Sequence, residues 1–128
     1  PPIPAVRSLL RQSLALAERA GMPRDRLLLD PGIGFFRDTG MPWAEWDCEV
    51  LRRLRELADL GCPLAVGVSR KSFLGALLDQ PDPADRLPAS LAATAAAVLH
   101  GAHAVRTHDV AATRDAIRVA EALRPRAG

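Results

Sequence analysis

The chain has 128 residues, of which 48% are hydrophobic and 25% are charged, and its net charge is +2 at pH 7. This length suits one domain with a real core, and no segment approaches the ~20 apolar residues that a membrane span requires. The small, evenly spread charge and the low aromatic content, 4% without tyrosine, argue against a nucleic-acid-binding surface. Cys48 and Cys62 lack metal-ligand partners at suitable spacing, which favours a reducing compartment, and we predict a cytoplasmic location.

The first half of the chain alternates helical and strand-like patterns. Apolar residues at helical spacing over 6–20 predict a helix that stops at a glycine. The short apolar run over 26–30 indicates a buried strand that ends in Asp30, before a Pro-Gly turn. Residues 31–42 are rich in glycine and proline and predict a loop, and the apolar spacing over 43–60 predicts a second helix.

The second half continues the same alternation. A second buried strand is predicted over 64–68, followed by an irregular stretch in which 73–78 is helical. An alanine-rich helix begins with a proline in its first turn at 88 and ends before a glycine. A third strand over 102–106 and a last helix over 110–123 complete the order α-β-α-β-α-β-α.

Apolar strands that alternate with helices predict an α/β protein with parallel strands covered by helices. Two architectures fit this order: a doubly wound sheet, or a piece of a (β/α)8 barrel. Three strands cannot close a barrel, and an open sheet would leave two bare edges. We therefore expect either a fragment or a further element that covers those edges. In both architectures ligands bind at the carboxyl ends of the strands.

The end of the first strand carries candidate ligand-binding residues. Asp30 either accepts N–H donors from a polar ring or caps the turn that follows it. The Gly-Ile-Gly segment after it lacks the third glycine of a dinucleotide-binding fingerprint, so its glycines allow close backbone approach in a ligand-lining loop. Of Phe35 and Phe36, we expect one to be a core residue, because adjacent residues rarely face the same way.

Lys71 is the only lysine in the chain, against sixteen arginines, and it follows the second strand. An ammonium is compact and has three rotatable donors, which a guanidinium does not offer. Lys71 stands in the run Ser69-Arg70-Lys71-Ser72, where a helical turn begins. Cations and hydroxyls at a helix start suit a carboxylate or a phosphate.

The third strand ends in a second basic cluster. Arg106 and His108 lie on one strand face by the alternation of side chains, a pair suited to a diphosphate. All three strands thus end in polar or charged residues where α/β proteins bind ligands. The set lacks a Ser-His-Asp order and a metal cluster, and it indicates group transfer with an anionic leaving group.

Residues 28–35 (LLDPGIGF), 66–72 (VGVSRKS) and 101–110 (GAHAVRTHDV), with Arg86-Leu87 and Ser90-Leu91-Ala92, resemble the dihydropteroate synthase family. The resemblance implies that residues 1–128 are a partial pterin-binding domain. This part would be the C-terminal portion of a (β/α)8 TIM barrel: a helix and then units six to eight, with five strands missing. The sequence departs from the family at Phe36 and Arg37, where a small residue and Lys are common.

The family condenses 6-hydroxymethyl-7,8-dihydropterin diphosphate with p-aminobenzoate, giving 7,8-dihydropteroate and diphosphate in folate biosynthesis. The resemblance implies substrate-binding and catalytic roles for eight residues. Asp30 would bind the pterin N–H edge, and Lys71 the pterin ring and anions. Phe35 would line the p-aminobenzoate pocket, and Arg106 and His108 would hold the diphosphate. Arg70 and Ser72 would lie near the carboxylate end of p-aminobenzoate, and Ser69 would be a further substrate-binding residue.

The same resemblance implies Mg2+, with its ligand expected from the missing part and none in this chain, and a homodimer. We expect the 128 residues alone to be inactive, because three strands leave the barrel open. Two alternatives share the barrel and the aspartate: a pterin-binding methyltransferase domain and a non-catalytic pterin-binding paralogue. The Ser-Arg-Lys-Ser run favours the synthase over the first, and the intact set of charges favours it over the second.

Overall fold

The computed structural model describes residues 1–125 and packs a layer of helices against short parallel strands. In chain order the regular elements are α1 (Pro2–Arg19), α2 (Trp43–Arg52), β1 (Ala65–Gly67), α3 (Ser72–Leu78), α4 (Leu87–Leu99), β2 (Ala104–Arg106) and α5 (Val110–Leu123). Within the same residues, 3-10 helices lie at Arg24–Arg26, Leu54–Leu60 and Pro83–Asp85. No helix in this range is both long enough and apolar enough to cross a membrane.

Helix α1 confirms the first predicted helix. Prolines occupy its first turn, where a missing N–H costs no helical hydrogen bond. Ile3, Val6, Leu10 and Leu14 are buried along one stripe, which attaches the helix to the core. Gly21, at φ +78°, follows the last turn in the left-handed conformation that glycine adopts at low cost.

The second predicted helix is divided in the structure. It is α-helical only over Trp43–Arg52 and continues as the 3-10 helix Leu54–Leu60, which Gly61 closes at φ +82°. The buried residues of this second part recur every third position, at Leu54, Leu57 and Leu60. A 3-10 helix aligns residues three apart on one face, so tighter winding buries all three leucines.

The sheet is parallel, with Ala65 opposite Ala104 and Gly67 opposite Arg106. The first predicted strand, 26–30, is mostly wrong: among the described residues it pairs only at Leu29, which forms a parallel bridge with Leu64. A 3-10 turn occupies its start, and the proline at 31 has no N–H to extend the pairing. The bridge at Leu29 nevertheless lies beside the start of β1, and β1 pairs with β2. The α/β class is therefore confirmed.

The two faces of the sheet differ in burial. Leu64, Val66 and Val68 are fully buried against the helices, and α1, α2, α4 and α5 form a row in which each contacts the next. The opposite face carries Leu28, which is 60% exposed, and the exposed side chain of Arg106. The helical layer therefore covers one face of the sheet, and the side chains on the other face are exposed.

Candidate functional site

The carboxyl ends of the strands converge on one small cavity. Its volume is about 260 Å3, and its lining comes from the ends of β1 and β2 and the residues just after them: Gly67, Ser69, Lys71, Arg106, Thr107 and His108. The structure thus brings together predicted residues from two separate strand ends. Within residues 1–125, four of the eight predicted site residues lie outside this lining: Asp30, Phe35, Arg70 and Ser72.

Asp30 and Arg106 join the first strand position to the third. The guanidinium Nη2 of Arg106 lies 2.7 Å from Asp30 Oδ2. To reach it, Arg106 passes over Gly67 of the central strand, where an added Cβ would lie 2.7 Å from Nη2. The other oxygen, Asp30 Oδ1, accepts the Gly32 N–H at 2.8 Å, so the capping interpretation of Asp30 is confirmed.

Gly67 is therefore part of the site, and the sequence interpretation missed it. A glycine inside a short apolar strand weakens the strand and often marks the close approach of another group. The sequence shows such a glycine within the apolar run Val66-Gly67-Val68. It did not reveal which side chain makes the approach, because the partner, Arg106, lies on the next strand.

His108 and Ser69 are hydrogen-bonded to each other at the carboxyl ends of β1 and β2. His108 Nδ1 lies 2.9 Å from Ser69 Oγ, which also accepts the His108 backbone N–H at 3.3 Å. Ser69 is buried, whereas His108 is exposed and lines the cavity. The hydroxyl therefore sets the orientation of the imidazole ring. A hydrogen bond at Nδ1 also determines where the second ring nitrogen, Nε2, points.

Lys71 connects two chain segments, which we call the glycine loop (residues 31–42) and the basic turn (residues 69–72). Its ammonium Nζ donates to the carbonyl oxygen of Ile33 at 3.2 Å and lies 5.0 Å from the ring centroid of Phe35. A Cβ added at Gly34 would approach the Lys71 Cδ to 3.4 Å. The compact ammonium fits between a carbonyl and an aromatic face, in a cation–π geometry.

The two adjacent phenylalanines face different ways, as predicted. Phe35 is 74% exposed at the surface of the glycine loop. Phe36 stacks on Trp46 of α2, with ring centroids 5.0 Å apart. Gly32 allows this packing, since a Cβ there would meet the Phe36 ring at 3.0 Å. Phe36 is thus the core residue of the pair, and Phe35 is free to meet a ligand.

Asp47 is a buried carboxyl that the sequence interpretation missed. It lies on α2, is 1% exposed, and accepts the Gly34 N–H through Oδ1 at 3.0 Å, while Oδ2 has no partner among the described residues. Burial raises the pKa of Asp47, opposed by the Gly34 hydrogen bond and the charges of Arg37 and Lys71. Its spacing to Val50 and Leu54 places it on the buried face of the predicted helix, which was the available indication.

Arg70 adopts φ +58°, a backbone conformation that non-glycine residues rarely occupy. Its guanidinium forms two hydrogen bonds to Asp109, at 3.0 and 3.3 Å. Ser72 is the exposed first residue of α3. The cation of Arg70 is therefore shared with an acid at the start of α5 before any ligand arrives.

The described residues contain no group of three or more His, Cys, Asp or Glu side chains placed to hold a metal ion. The charged groups of the site are instead two arginines, a lysine and the three carboxyl groups of Asp30, Asp47 and Asp109. Together with the histidine, they suit an anionic ligand that also carries N–H donors for a carboxylate.

The fold and the site together define a class: parallel α/β proteins that bind a polar, anionic small molecule at the carboxyl ends of their strands. The sequence profile of one such family, described as pterin binding enzyme, matches residues 1–108. The chain belongs to this family of pterin binding enzymes.

The individual proteins to which this chain is similar include several dihydropteroate synthases. Dihydropteroate synthase of Synechocystis is 43% identical over 118 residues, which are 92% of this chain and 39% of that protein. The structure of a dihydropteroate synthase from Coxiella burnetii in complex with pteroic acid superposes with a TM-score of 0.86 at 38% identity, covering 97% of this chain and 45% of that one.

A third similar protein is Xanthomonas albilineans dihydropteroate synthase with 4-aminobenzoic acid, with a TM-score of 0.86 and 37% identity over 95% of this chain and 44% of that one. The chain therefore spans less than half the length of each of these three relatives. Its similarity is to part of a longer enzyme.

Proposed function

We propose that this chain is the C-terminal portion of a dihydropteroate synthase, comprising a helix and units six to eight of a (β/α)8 barrel. The one-sided packing supports this placement. In a barrel, helices cover the outer face of the strands and the inner face meets the other strands. Leu28 and Arg106 would then point into the barrel interior, which the remaining units complete.

The proposed reaction joins 6-hydroxymethyl-7,8-dihydropterin diphosphate to p-aminobenzoate. The bond between the pterin methylene carbon and the diphosphate oxygen breaks, and the aniline nitrogen forms a bond to that carbon. The nitrogen then loses one proton, giving 7,8-dihydropteroate and diphosphate. Named relatives are seen with pteroic acid and with 4-aminobenzoic acid, which have the chemistry of the product and of the second substrate.

The observation that carries the proposal is the ion pair of Asp30 and Arg106 beside His108. Asp30 would exchange its Arg106 partner for the N–H edge of the pterin ring. The released guanidinium would then turn to the diphosphate, where it can bind two oxygens, and His108 would donate to a third. Arg106 and His108 stabilise negative charge as it develops on the leaving group, which is the main demand of this reaction.

Lys71 would contact the pterin ring and the neighbouring anions from its place above Phe35. Phe35, exposed on the glycine loop, would form a wall of the p-aminobenzoate pocket. Arg70 and Ser72 would meet the carboxylate of that substrate, with Asp109 giving up its share of the Arg70 guanidinium. Ser69 would act through His108, whose ring it orients.

The described residues do not form a metal site, so no step proposed for them runs through Mg2+. A magnesium ligand from the rest of the barrel, a homodimer and a cytoplasmic location remain predictions of the family resemblance. The extent of the pterin-binding domain over residues 1–128 is also a prediction, and its last three residues lie outside the described part. We expect residues 1–128 alone to lack activity.

The proposal is tested with the protein as it is naturally encoded, supplied with both substrates. Formation of dihydropteroate with equimolar diphosphate is expected, and its absence would contradict the function. Arg106→Ala should weaken calorimetric binding of the pterin diphosphate by about 10- to 100-fold, the size of a lost charge-assisted hydrogen bond. Its effect on the unphosphorylated pterin should be small.

Arg114→Ala is the matched control, because it removes the same charge from an exposed position of α5. It should leave both affinities unchanged. Equal losses for the two pterins in Arg106→Ala would contradict the assignment of Arg106 to the diphosphate.

A further inference from the structure

Two buried polar side chains lie beneath the basic turn and touch no predicted ligand. Arg86 immediately precedes α4 and is 7% exposed, and Ser90 lies in the first turns of α4 and is 3% exposed. Burying a guanidinium is costly unless its donors are paired. The partners of these two residues therefore indicate what their burial accomplishes.

The guanidinium of Arg86 donates to three backbone carbonyls. Nη1 bonds the Arg70 oxygen at 2.9 Å, Nε the Gln80 oxygen at 3.0 Å, and Nη2 the Pro81 oxygen at 3.0 Å. Gly75 makes room for this arrangement, because a Cβ there would lie 2.7 Å from the guanidinium carbon. The rigid fork of Arg thus ties the basic turn to the segment after α3, a geometry that one ammonium cannot reproduce.

Ser90 holds the other backbone group of the same residue. Its Oγ accepts the Arg70 N–H at 2.8 Å and donates to the Arg86 carbonyl at 2.7 Å. Both the N–H and the C=O of Arg70 are therefore bonded by buried groups from the start of α4. These bonds hold Arg70 at its positive φ, a conformation that persists where surrounding structure determines it.

We propose that Arg86 and Ser90 are positioning residues that hold the basic turn in its ligand-binding geometry. The inference rests on the proposed function, in which Arg70 and Ser72 meet the carboxylate of p-aminobenzoate. Loss of either residue lets Arg70 leave its left-handed conformation, so that its side chain no longer points consistently toward that substrate. The diphosphate is held from β2 by Arg106 and His108 and is less affected.

The test compares Ser90→Ala, Ser90→Thr and Arg86→Lys in the naturally encoded protein. Ser90→Ala should raise the KM for p-aminobenzoate about tenfold, the equivalent of one hydrogen bond, and should leave the KM for the pterin diphosphate within about twofold. Ser90→Thr keeps the hydroxyl and should restore most of the loss. Arg86→Lys, which removes more bonds, should have the larger effect on the same KM.

Thr94→Ala is the matched control, because Thr94 is buried on the same helix one turn further along. It should lower the melting temperature without changing the ratio of the two KM values. Amide hydrogen exchange gives a second readout that does not depend on activity: Ser90→Ala should speed exchange in peptides covering 69–72, and Thr94→Ala should not.

An active wild type in which Ser90→Ala keeps both KM values, or changes them equally as Thr94→Ala does, would overturn the positioning role alone. Unchanged exchange at 69–72 in Ser90→Ala would also overturn it. A wild type that forms no dihydropteroate would overturn the proposed function, and the positioning role would fall with it.

Discussion

The glycine loop and the basic turn follow neighbouring strand positions, yet they are held in different ways. Asp30, Asp47 and Lys71 each bond the backbone of the glycine loop once, at Gly32, Gly34 and Ile33, and of these three side chains only Asp47 is buried. Phe35 stands exposed beside these bonds. Both backbone groups of Arg70 in the basic turn are bonded by buried side chains. Segments with few buried contacts open at low free energy, whereas multiply bonded ones do not.

Lys71 links the two segments, which differ in how firmly their backbones are held. Its backbone belongs to the firmly held basic turn, and its ammonium bonds the Ile33 carbonyl of the more weakly held glycine loop. Movement of the glycine loop would therefore release Phe35 and free the ammonium together. Under the proposed function, the basic turn would be a preformed site for the p-aminobenzoate carboxylate, beside an aromatic wall that can adjust.

The largest expected effect comes from Lys71→Arg, since Lys71 joins the two regions. The wider, planar guanidinium does not fit the space between the Ile33 carbonyl and the Phe35 ring, so the cation that we propose for contact with the pterin is displaced. We expect kcat to fall about 100-fold, the cost of misplacing a group by about 1 Å. The measurement is steady-state turnover, with circular dichroism to show that the fold is intact.

Arg118→Lys on α5 is the reciprocal control, because it exchanges the same two residue types at an exposed position. Its turnover should equal that of the wild type. Near-normal turnover of Lys71→Arg would show that the charge alone, and not the shape of the ammonium, is required.

Asp47→Ala should affect the glycine loop and spare the basic turn. It removes the acceptor of the Gly34 N–H, so the loop loses its bond to α2. We expect kcat/KM to fall about tenfold, as for the loss of one buried hydrogen bond. Hydrogen exchange should rise over 31–42 and stay constant over 69–72, the reverse of the pattern expected for Ser90→Ala.

Asp47→Asn keeps the acceptor oxygen and should preserve the slow exchange over 31–42. If Asp47→Ala accelerated exchange equally in both regions, the two would be one cooperative unit, and the contrast between them would be wrong.

The smallest expected effect is on the pH dependence of stability. Because burial raises the pKa of folded Asp47 above its unfolded value, the folded state favours the protonated carboxyl. The free energy of unfolding therefore loses a contribution as the pH rises from the unfolded pKa through the raised folded pKa. Asp47→Asn removes this loss, and its stability relative to the wild type should increase with pH, by about 1 kcal/mol at neutral pH.

Urea unfolding between pH 4 and pH 8 measures this difference. Asp115→Asn, an exposed carboxyl on α5, should show no such trend. A stability difference between Asp47→Asn and the wild type that stayed constant over this range would mean that burial does not perturb the Asp47 carboxyl.

Local sequence patterns predicted the helices better than the strands. Helical spacing identified α1 and α5, and alanine-rich composition with a first-turn proline identified α4, because each of these signals lies within one short segment. The first strand was overestimated, because its pairing depends on what lies beside it and only Leu29 finds a partner. The winding of 54–60 as a 3-10 helix was also missed, because it follows from burying three leucines at once.

By itself, the sequence determined the α/β order, the strand ends that carry charge, and the contrast between one lysine and sixteen arginines. These are properties of short segments, and local chemistry is enough to specify them. Tertiary structure alone decided that Arg106 crosses Gly67 to Asp30, that Asp47 is buried beneath Gly34, and that Arg86 bonds the Arg70 carbonyl. Each of these contacts joins segments 13 to 76 residues apart, whose approach is set by packing of the whole core.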